Sequence, residues 1–505
     1  MGQIRKQTII SSILVYIGFL IGAFNIYMYT RAGSFTPGQY GLTRIFFDFA
    51  QNMNAIGALG VIPVIYKFYP YYKDNLEEHK IDLMTWALAS SLIGLLLVIF
   101  LGWTFEPAFV NWYTQKSKLV VDYYFWMVPF AIGLLFFSVI EGFCWAVHKT
   151  IVSNFLKETF MRVITSVLIL LYYFKLIDFH LFIQLFAFQY FAIFLVLFVH
   201  LTRIGKLHFP LTISRVTKKF WKRMLGMQVL TFGGTVIVAV AATIDVFIIA
   251  GFQNLTAVGI FVFAQYTANL IQVPQRSIQA VSAGVLSRAW KDKDYKEIKR
   301  VYQRSCINLL LMSLFIFGNV WLNVKQGIDV LHIQDQYNGG LGVLFILGMV
   351  RIIDAGTGLN ALVINTSTFW RFDFYSGVVL LSLRLPLTYF LIKNYGIIGS
   401  AFAELAAYSV YNFIRFEFLR RKFKMQPFNL KTLYSILLGL VTYLFCFFVM
   451  KDIKGWPGII LRAGVFSGTM IAGVFYWKLT PDARQLYAVF LGRVDGFRNN
   501  RKKKI

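Results

Sequence analysis

The sequence predicts an all-α, polytopic membrane protein of fourteen transmembrane helices, set out as two parallel six-helix lobes plus a C-terminal helix pair. Three observations predict it. The 505 residues are 58% hydrophobic and only 14% charged, against roughly 25% charged in soluble domains. Mean hydropathy is +0.62. Charge interrupts the apolar runs about every 20–25 residues, the length a helix needs to cross about 30 Å of hydrocarbon. Helices suit lipid because each backbone polar group is paired within its own segment. The pattern is not that of short alternating β-barrel strands.

In order, the predicted spans are 8–29, 40–66, 82–103, 120–147, 151–174 and 178–202, then 224–250, 256–284, 303–324, 340–364, 374–393 and 396–418, and finally 431–450 and 457–478. The start "MGQIRKQTII" is basic and runs into apolar sequence up to Tyr29 without a small-residue cleavage site. It is expected to be a retained first helix rather than a signal peptide. An even number of spans puts both termini on one face. Most lysines and arginines fall in the loops of that face, which the positive-inside rule makes cytoplasmic. The net charge of +27 therefore calls for no nucleic-acid partner. Its dense stretches, "RVTKKFWKR" (215–223), "KDKDYKEIKR" (291–300) and "RNNRKKK" (498–504), are expected to set orientation and touch anionic lipid.

Cys144, Cys306 and Cys446 sit singly in apolar context and imply no disulfide framework. No histidine lies deep in a span or has an H-x-x-x-H partner, so neither a metal site nor a cofactor is expected. External loops are short, the longest at about 323–340, too small for a catalytic domain. The 90 aromatics implied by 11 Trp, 27 Tyr and 52 Phe suit interhelical surfaces and interfacial belts. Gly18/Gly22 and Gly464/Gly468 have the small-xxx-small spacing of close helix packing.

Six spans occupy 8–202 and six more 224–418. A shift of 218 residues lays Gly41 on Gly259, Ala50 on Ala268 and Lys73-Asp74 on Lys291-Asp292. Six spans per copy means parallel repeats, an architecture with a substrate path between its halves. The expected organisation is an N-terminal lobe 1–202, a basic cytoplasmic linker 203–223, a C-terminal lobe 224–418, an added helix pair 419–478 and a basic cytoplasmic tail 479–505.

The segment "FTPGQYGLTRIFFDFAQNMNAIGALGVIPVIYKFYPYYKD", its second-half counterpart ending "SRAWKDKDYKEIKR", and "YGIIGSAFAE" (395–404) carry a family resemblance. They resemble the polysaccharide-transporter branch of the multidrug/oligosaccharidyl-lipid/polysaccharide exporter superfamily, which includes the O-antigen and capsule-repeat flippases. That resemblance implies fourteen helices, a central cavity lined by helices 1, 2, 7 and 8, and translocation of undecaprenyl-pyrophosphate-linked oligosaccharide across a bacterial cytoplasmic membrane. It implies no enzyme. The expected partners are the lipid-linked oligosaccharide, membrane lipids and other polysaccharide-assembly proteins. The characteristic motifs of the lipid II flippases and drug exporters cannot be placed here. Two alternatives stay open: an ion-coupled drug or cation antiporter of the same superfamily, and a membrane-embedded glycan polymerase or transferase.

Charged residues within spans locate the candidate site, because each costs roughly 2.5–3.5 kcal/mol at a helix centre unless it meets a partner or water. In "YTANLIQVPQRSIQAVSAGV", Pro274 frees the carbonyl of Leu270, and Gln272, Gln275 and Gln279 surround Arg276. This face reads as a cavity wall for pyrophosphate, since arginine stays charged and forks onto phosphate oxygens; the alternative is an arginine snorkelling to the inner interface. Arg44, Asp48, Gln51 and Asn52 fall at helical spacing. Arg44 and Asp48 can pair at i,i+4, and Asp48, Asn52 and Asn25 are expected to continue the polar wall. Asp48, Asp245, Asp354 and Glu404 are candidates for ion coupling. Arg351 and Asp354 are expected to neutralise each other; Arg384, beside Pro386, and Glu404 are expected to bridge neighbouring helices or line the second lobe, and Arg351 and Arg384 are candidates for substrate binding. Lys157 and Arg162, with Glu141 and Glu158, are expected to form a salt-bridged cytoplasmic entrance, the alternative being a basic vestibule for an anionic headgroup.

Overall fold

The computed structural model describes residues 2–147 and 149–482, and within them regular structure is helical. Eleven of its helices are long and apolar enough to cross a membrane, or twelve if one bent pair counts as a single span. The chain divides into two compact units, Met1–Val262 and Phe263–Ile505. The basic tail, including 498–504, lies outside the described residues from position 483 onward.

The first unit begins with α1 (Gly2–Thr30), α2 (Pro37–Gly57), α3 (Val61–Asn75), α4 (Leu83–Thr114) and the short α5 (Lys118–Asp122). It continues with α6 (Tyr124–Ala146), α7 (Thr150–Asn154), α8 (Met161–Tyr173), α9 (Phe179–Ala187), α10 (Gln189–Arg203), α11 (Arg215–Phe252) and α12 (Leu255–Asn269), the last crossing into the second unit. The predicted span 40–66 is broken. Thr36 and Gln39 form a capping box around Pro37, which fixes the start of α2. Leu59 and Gly60 then take left-handed φ of 45° and 71°, and α3 leaves at 50° to α2. A Cβ on Gly60 would lie 2.4 Å from the carbonyl oxygen of Gln228, so the bend also lets α11 approach. The predicted span 151–174 is interrupted by a π-helical turn, Phe155–Phe160.

The core of this unit is aromatic. Phe46, Phe130 and Phe186 are fully buried, and the rings of Phe130 and Phe186 stack 5.2 Å apart. Gly18 and Gly22 do serve close packing: a Cβ on Gly18 would fall 2.0 Å from the Glu158 carbonyl oxygen, and one on Gly22 would touch the Arg162 side chain. Gly464 and Gly468 do not, for open space surrounds both.

Helices α2 and α12 meet backbone to backbone. A Cβ on Gly41 would lie 2.3 Å from the carbonyl oxygen of Leu255, and one on Gly259 2.0 Å from that of Pro37. At the 218-residue shift, Pro37 is equivalent to Leu255 and Gly41 to Gly259. Residue i therefore meets the equivalent of j while j meets the equivalent of i, the reciprocity of an isologous two-fold contact. The 218-residue alignment thus coincides with a reciprocal close approach of α2 and α12.

The second unit holds α13 (Val273–Lys291), α14 (Tyr295–Val330), α15 (Leu341–Gly356), α16 (Asn360–Asn365), α17 (Trp370–Tyr395), α18 (Ile397–Phe423), α19 (Leu430–Val449) and α20 (Gly455–Tyr476). A 3₁₀ turn, Leu270–Gln272, separates α12 from α13, which places the break expected from Pro274. The α19–α20 hairpin docks on α14 through Phe466, whose ring fills the notch at Gly318. Buried Arg462 donates to the Met450 and Ile453 carbonyls and to Asn323, capping the end of α19 while tying it to α14. The unit boundary differs from the lobe boundary expected near 224. Helix α11 packs with α2 and α3, where Thr231 donates to the Gly60 carbonyl at 3.0 Å, so by packing it sides with the first unit. All three cysteines are free and buried.

Candidate functional site

Within the first unit, α2, α3 and α11 enclose an open cleft of about 820 Å³. Its α2 wall carries Arg44, Asp48, Gln51 and Asn54; its α11 wall carries Thr231, Thr235 and Thr243. Arg44, Asp48, Gln51, Ala55 and Ala58 recur at helical spacing and so share one face of α2. On α11, Thr231 and Thr235 lie one turn apart for the same reason, and Thr243 lines the cleft further along the helix.

The expected Arg44–Asp48 pair is present, with Nε donating to Oδ2 at 3.0 Å. Asp48 is buried, whereas the Arg44 side chain is 35% exposed. The bond uses Nε, so the two terminal amino groups keep their donor capacity. Asn52 donates to Thr243 Oγ1 at 2.7 Å and to the Asp48 carbonyl at 2.8 Å, bracing α2 against α11. Asp245 is buried and lies within electrostatic reach of Asp48. Among the described residues the buried Oδ1 atoms of Asn52 and Asn54 lack a hydrogen-bond partner. An unsatisfied buried acceptor calls for water or ligand.

Asn25 does not join this wall. Its amide donates to the Arg162 carbonyl at 2.9 Å and accepts from Ser166 Oγ at 2.5 Å. Helix α1 turns that face toward α8 because Gly18 and Gly22 permit a close approach there. The entrance cations are paired: Lys157 with Glu141 at 2.9 Å and Arg162 with Glu158 at 3.0 Å.

In the second unit the expected Arg351–Asp354 pair is replaced by a different arrangement. Buried Arg351 binds Glu404 at 2.9 Å, and Arg384 binds the same carboxylate at 3.3 Å. Arg351 Nε also donates to Asn269 at 3.1 Å. Asp354 instead accepts from the side-chain amides of Gln275 at 3.1 Å, Asn412 at 3.2 Å and Gln272 at 3.4 Å. Asn412 is held in turn by Thr357 and Asn360. Arg351 and Arg384, expected to bind substrate, are thus closed off against Glu404. Gln272 and Gln275 are spent on Asp354. The physical reason is partner strength: a buried guanidinium gains most from a carboxylate, and α18 delivers Glu404 between two of them. Arg276 is exposed and has no ion pair among the described residues, and Gln279 is half-buried one turn further along α13. Of the cationic wall expected on α13, the arginine is what remains accessible.

Sequence reasoning passes over Asn54, Thr231 and Thr235, and takes Arg44 only as the partner of Asp48. The stripe at 44, 48, 51, 55 and 58 was the available signal. The α11 threonines gave a weaker one, since threonine is common in membrane helices.

No family model matches the chain, and no curated protein matches it in sequence. Solved structures do. The lipid II flippase MurJ in an inward closed conformation superposes with a TM-score of 0.73 at 14% identity, covering 93% of this chain and 99% of that one. An inward-facing multidrug resistance MATE transporter gives 0.63 at 12% identity, covering 82% and 98%. An outward-facing multidrug resistance MATE transporter gives 0.51 at 13% identity, covering 83% and 95%. These neighbours are transporters, and this chain shares their fold.

Proposed function

We propose that this protein is a flippase that moves undecaprenyl-pyrophosphate-linked oligosaccharide, an O-antigen, capsule or exopolysaccharide repeat unit, across the bacterial cytoplasmic membrane. The observation that carries this reading is Arg44. Its guanidinium is held by Asp48 through one nitrogen, and the residue lines a largely apolar cleft that also carries Asp48, Gln51, Asn54 and threonines. Such a group binds a diphosphate through its remaining donors, while Gln51, Asn54 and the α11 threonines offer hydrogen bonds to sugar hydroxyls. Within the second unit, Arg276 is exposed and outside any ion pair among the described residues. The polyprenyl tail stays in lipid. Lobes at 1–202 and 224–418 alternate access to the two membrane faces, with both termini cytoplasmic, and Asp48 and Asp245 couple the cycle to an ion gradient.

A liposome assay with lipid-linked glycan and a cationic dye tests this. Glycan movement, reduced roughly ten-fold or more by Arg44→Ala, is the expected result. The rival reading, a cation antiporter, is favoured by one observation: Asp48 lines the same cleft. Under that reading the dye alone moves, and Asp48→Asn stops it.

A further inference from the structure

A second cavity lies apart from the polar cleft. Helices α2, α4 and α6 leave a groove of about 620 Å³ lined by Phe49, Met53, Leu95, Phe109, Val128 and Leu135 among others. Among its lining residues, only Glu106 is charged. Pro107 sits inside α4 at this point, freeing the Trp103 carbonyl and loosening that turn. The length of the groove follows from helical rise. Leu95 to Glu106 on α4, and Tyr124 to Leu135 on α6, each span about 16 Å, half of the roughly 30 Å hydrocarbon thickness and so the depth of one leaflet. At the Glu106 end, Trp103, Phe105 and Phe125 are 73%, 61% and 72% exposed, the aromatic belt that marks a membrane–water interface.

These features specify an occupant. A dry trough one leaflet deep, opening on lipid-facing surface, accepts a single hydrocarbon chain. At the interface its headgroup meets the exposed carboxylate of Glu106, which forms no ion pair among the described residues and repels phosphate-only headgroups while attracting an ammonium. We propose that this groove is a binding site for one acyl chain of an amino-headgroup phospholipid, with the ethanolamine ammonium beside Glu106. The site is independent of the transported cargo.

The test reads labelling rather than transport. The full chain, reconstituted in nanodiscs, is irradiated with trace phosphatidylethanolamine or phosphatidylglycerol carrying a diazirine in the acyl chain. Peptides containing Leu95–Phe109 and Tyr124–Leu135 should label several-fold more with the ethanolamine lipid. Glu106→Gln should equalise the two lipids. Leu95→Trp or Ile132→Trp, two independent ways of filling the trough, should lower both at these peptides while leaving the lipid-facing surface at Leu440 and Phe448 of α19 unchanged. Equal labelling by the two lipids in the unaltered protein overturns the proposal. So does labelling that neither filling substitution reduces, or preferential labelling of the same peptides by a photoreactive polyprenyl phosphate.

Discussion

At the residue scale, what decides each intramembrane charge is whether a partner of opposite sign reaches it. Glu404 is shared by Arg351 and Arg384, all three buried. Glu404→Gln leaves two guanidinium groups without their counter-charge and is expected to cost about 3–5 kcal/mol, visible as a lowered unfolding temperature in detergent. Replacing Arg351, Arg384 and Glu404 together by apolar residues of similar volume should recover part of that loss, because a well-packed apolar cluster removes the desolvation cost along with the attraction. Arg44 makes the contrasting case. Its side chain is 35% exposed, so Arg44→Ala should cost transport, but it also takes the counter-charge from buried Asp48 and should lower thermal stability unless Asp48→Asn is made with it. Arg44→Lys should restore transport only partly, because an ammonium keeps the charge but loses the bidentate fork. The Arg44–Asp48 pair was legible in sequence, since four residues on a helix fix the geometry. The choice of Glu404 over Asp354 was not. Glu404 lies 53 positions from Arg351 and 20 from Arg384, and only the packing of α15, α17 and α18 brings the three together.

At the element scale, glycines separate contacts that matter from spacings that do not. Gly259→Ala must push α12 off the Pro37 carbonyl, and Gly41→Ala must push α2 off Leu255. Each is expected to destabilise by about 1–3 kcal/mol. Gly464→Ala and Gly468→Ala meet open space and should be neutral or stabilise α20 by up to about 1 kcal/mol. Thermal unfolding of the four variants side by side checks the contrast. The two pairs look alike in sequence, both being small residues in apolar helices. What distinguishes Gly41 and Gly259 is that each sits where the backbone of the facing helix comes closest. The break between α2 and α3 was likewise hidden within the predicted span 40–66. Apolar periodicity continues through it, and only Gly60 hints at a left-handed turn.

For the whole molecule, the spacing of apolar runs was enough to identify a polytopic helical protein, and superposition with transporter structures at 12–14% identity places its fold. Orientation is the prediction that belongs to this scale. A fluorescent protein fused to the C-terminus should glow, and alkaline phosphatase fused at the same point should stay inactive, if the positive-inside assignment holds. The opposite pair of results would invert the topology and with it the direction of the proposed transport.

The sequence by itself determined that this is a polytopic helical membrane protein, because hydrophobicity and helical period act along the chain. It also supplied the charged residues from which any site must be built. Only the tertiary structure decided which of those charges were spent on one another and which remained accessible. It set Asn25 against α8, gave Arg351 and Arg384 to Glu404, and left Arg44 facing the cleft. The physical reason is that the strength of a charge pair depends on a separation of a few ångströms between side chains, and for residues on different helices the packing of the bundle sets that separation.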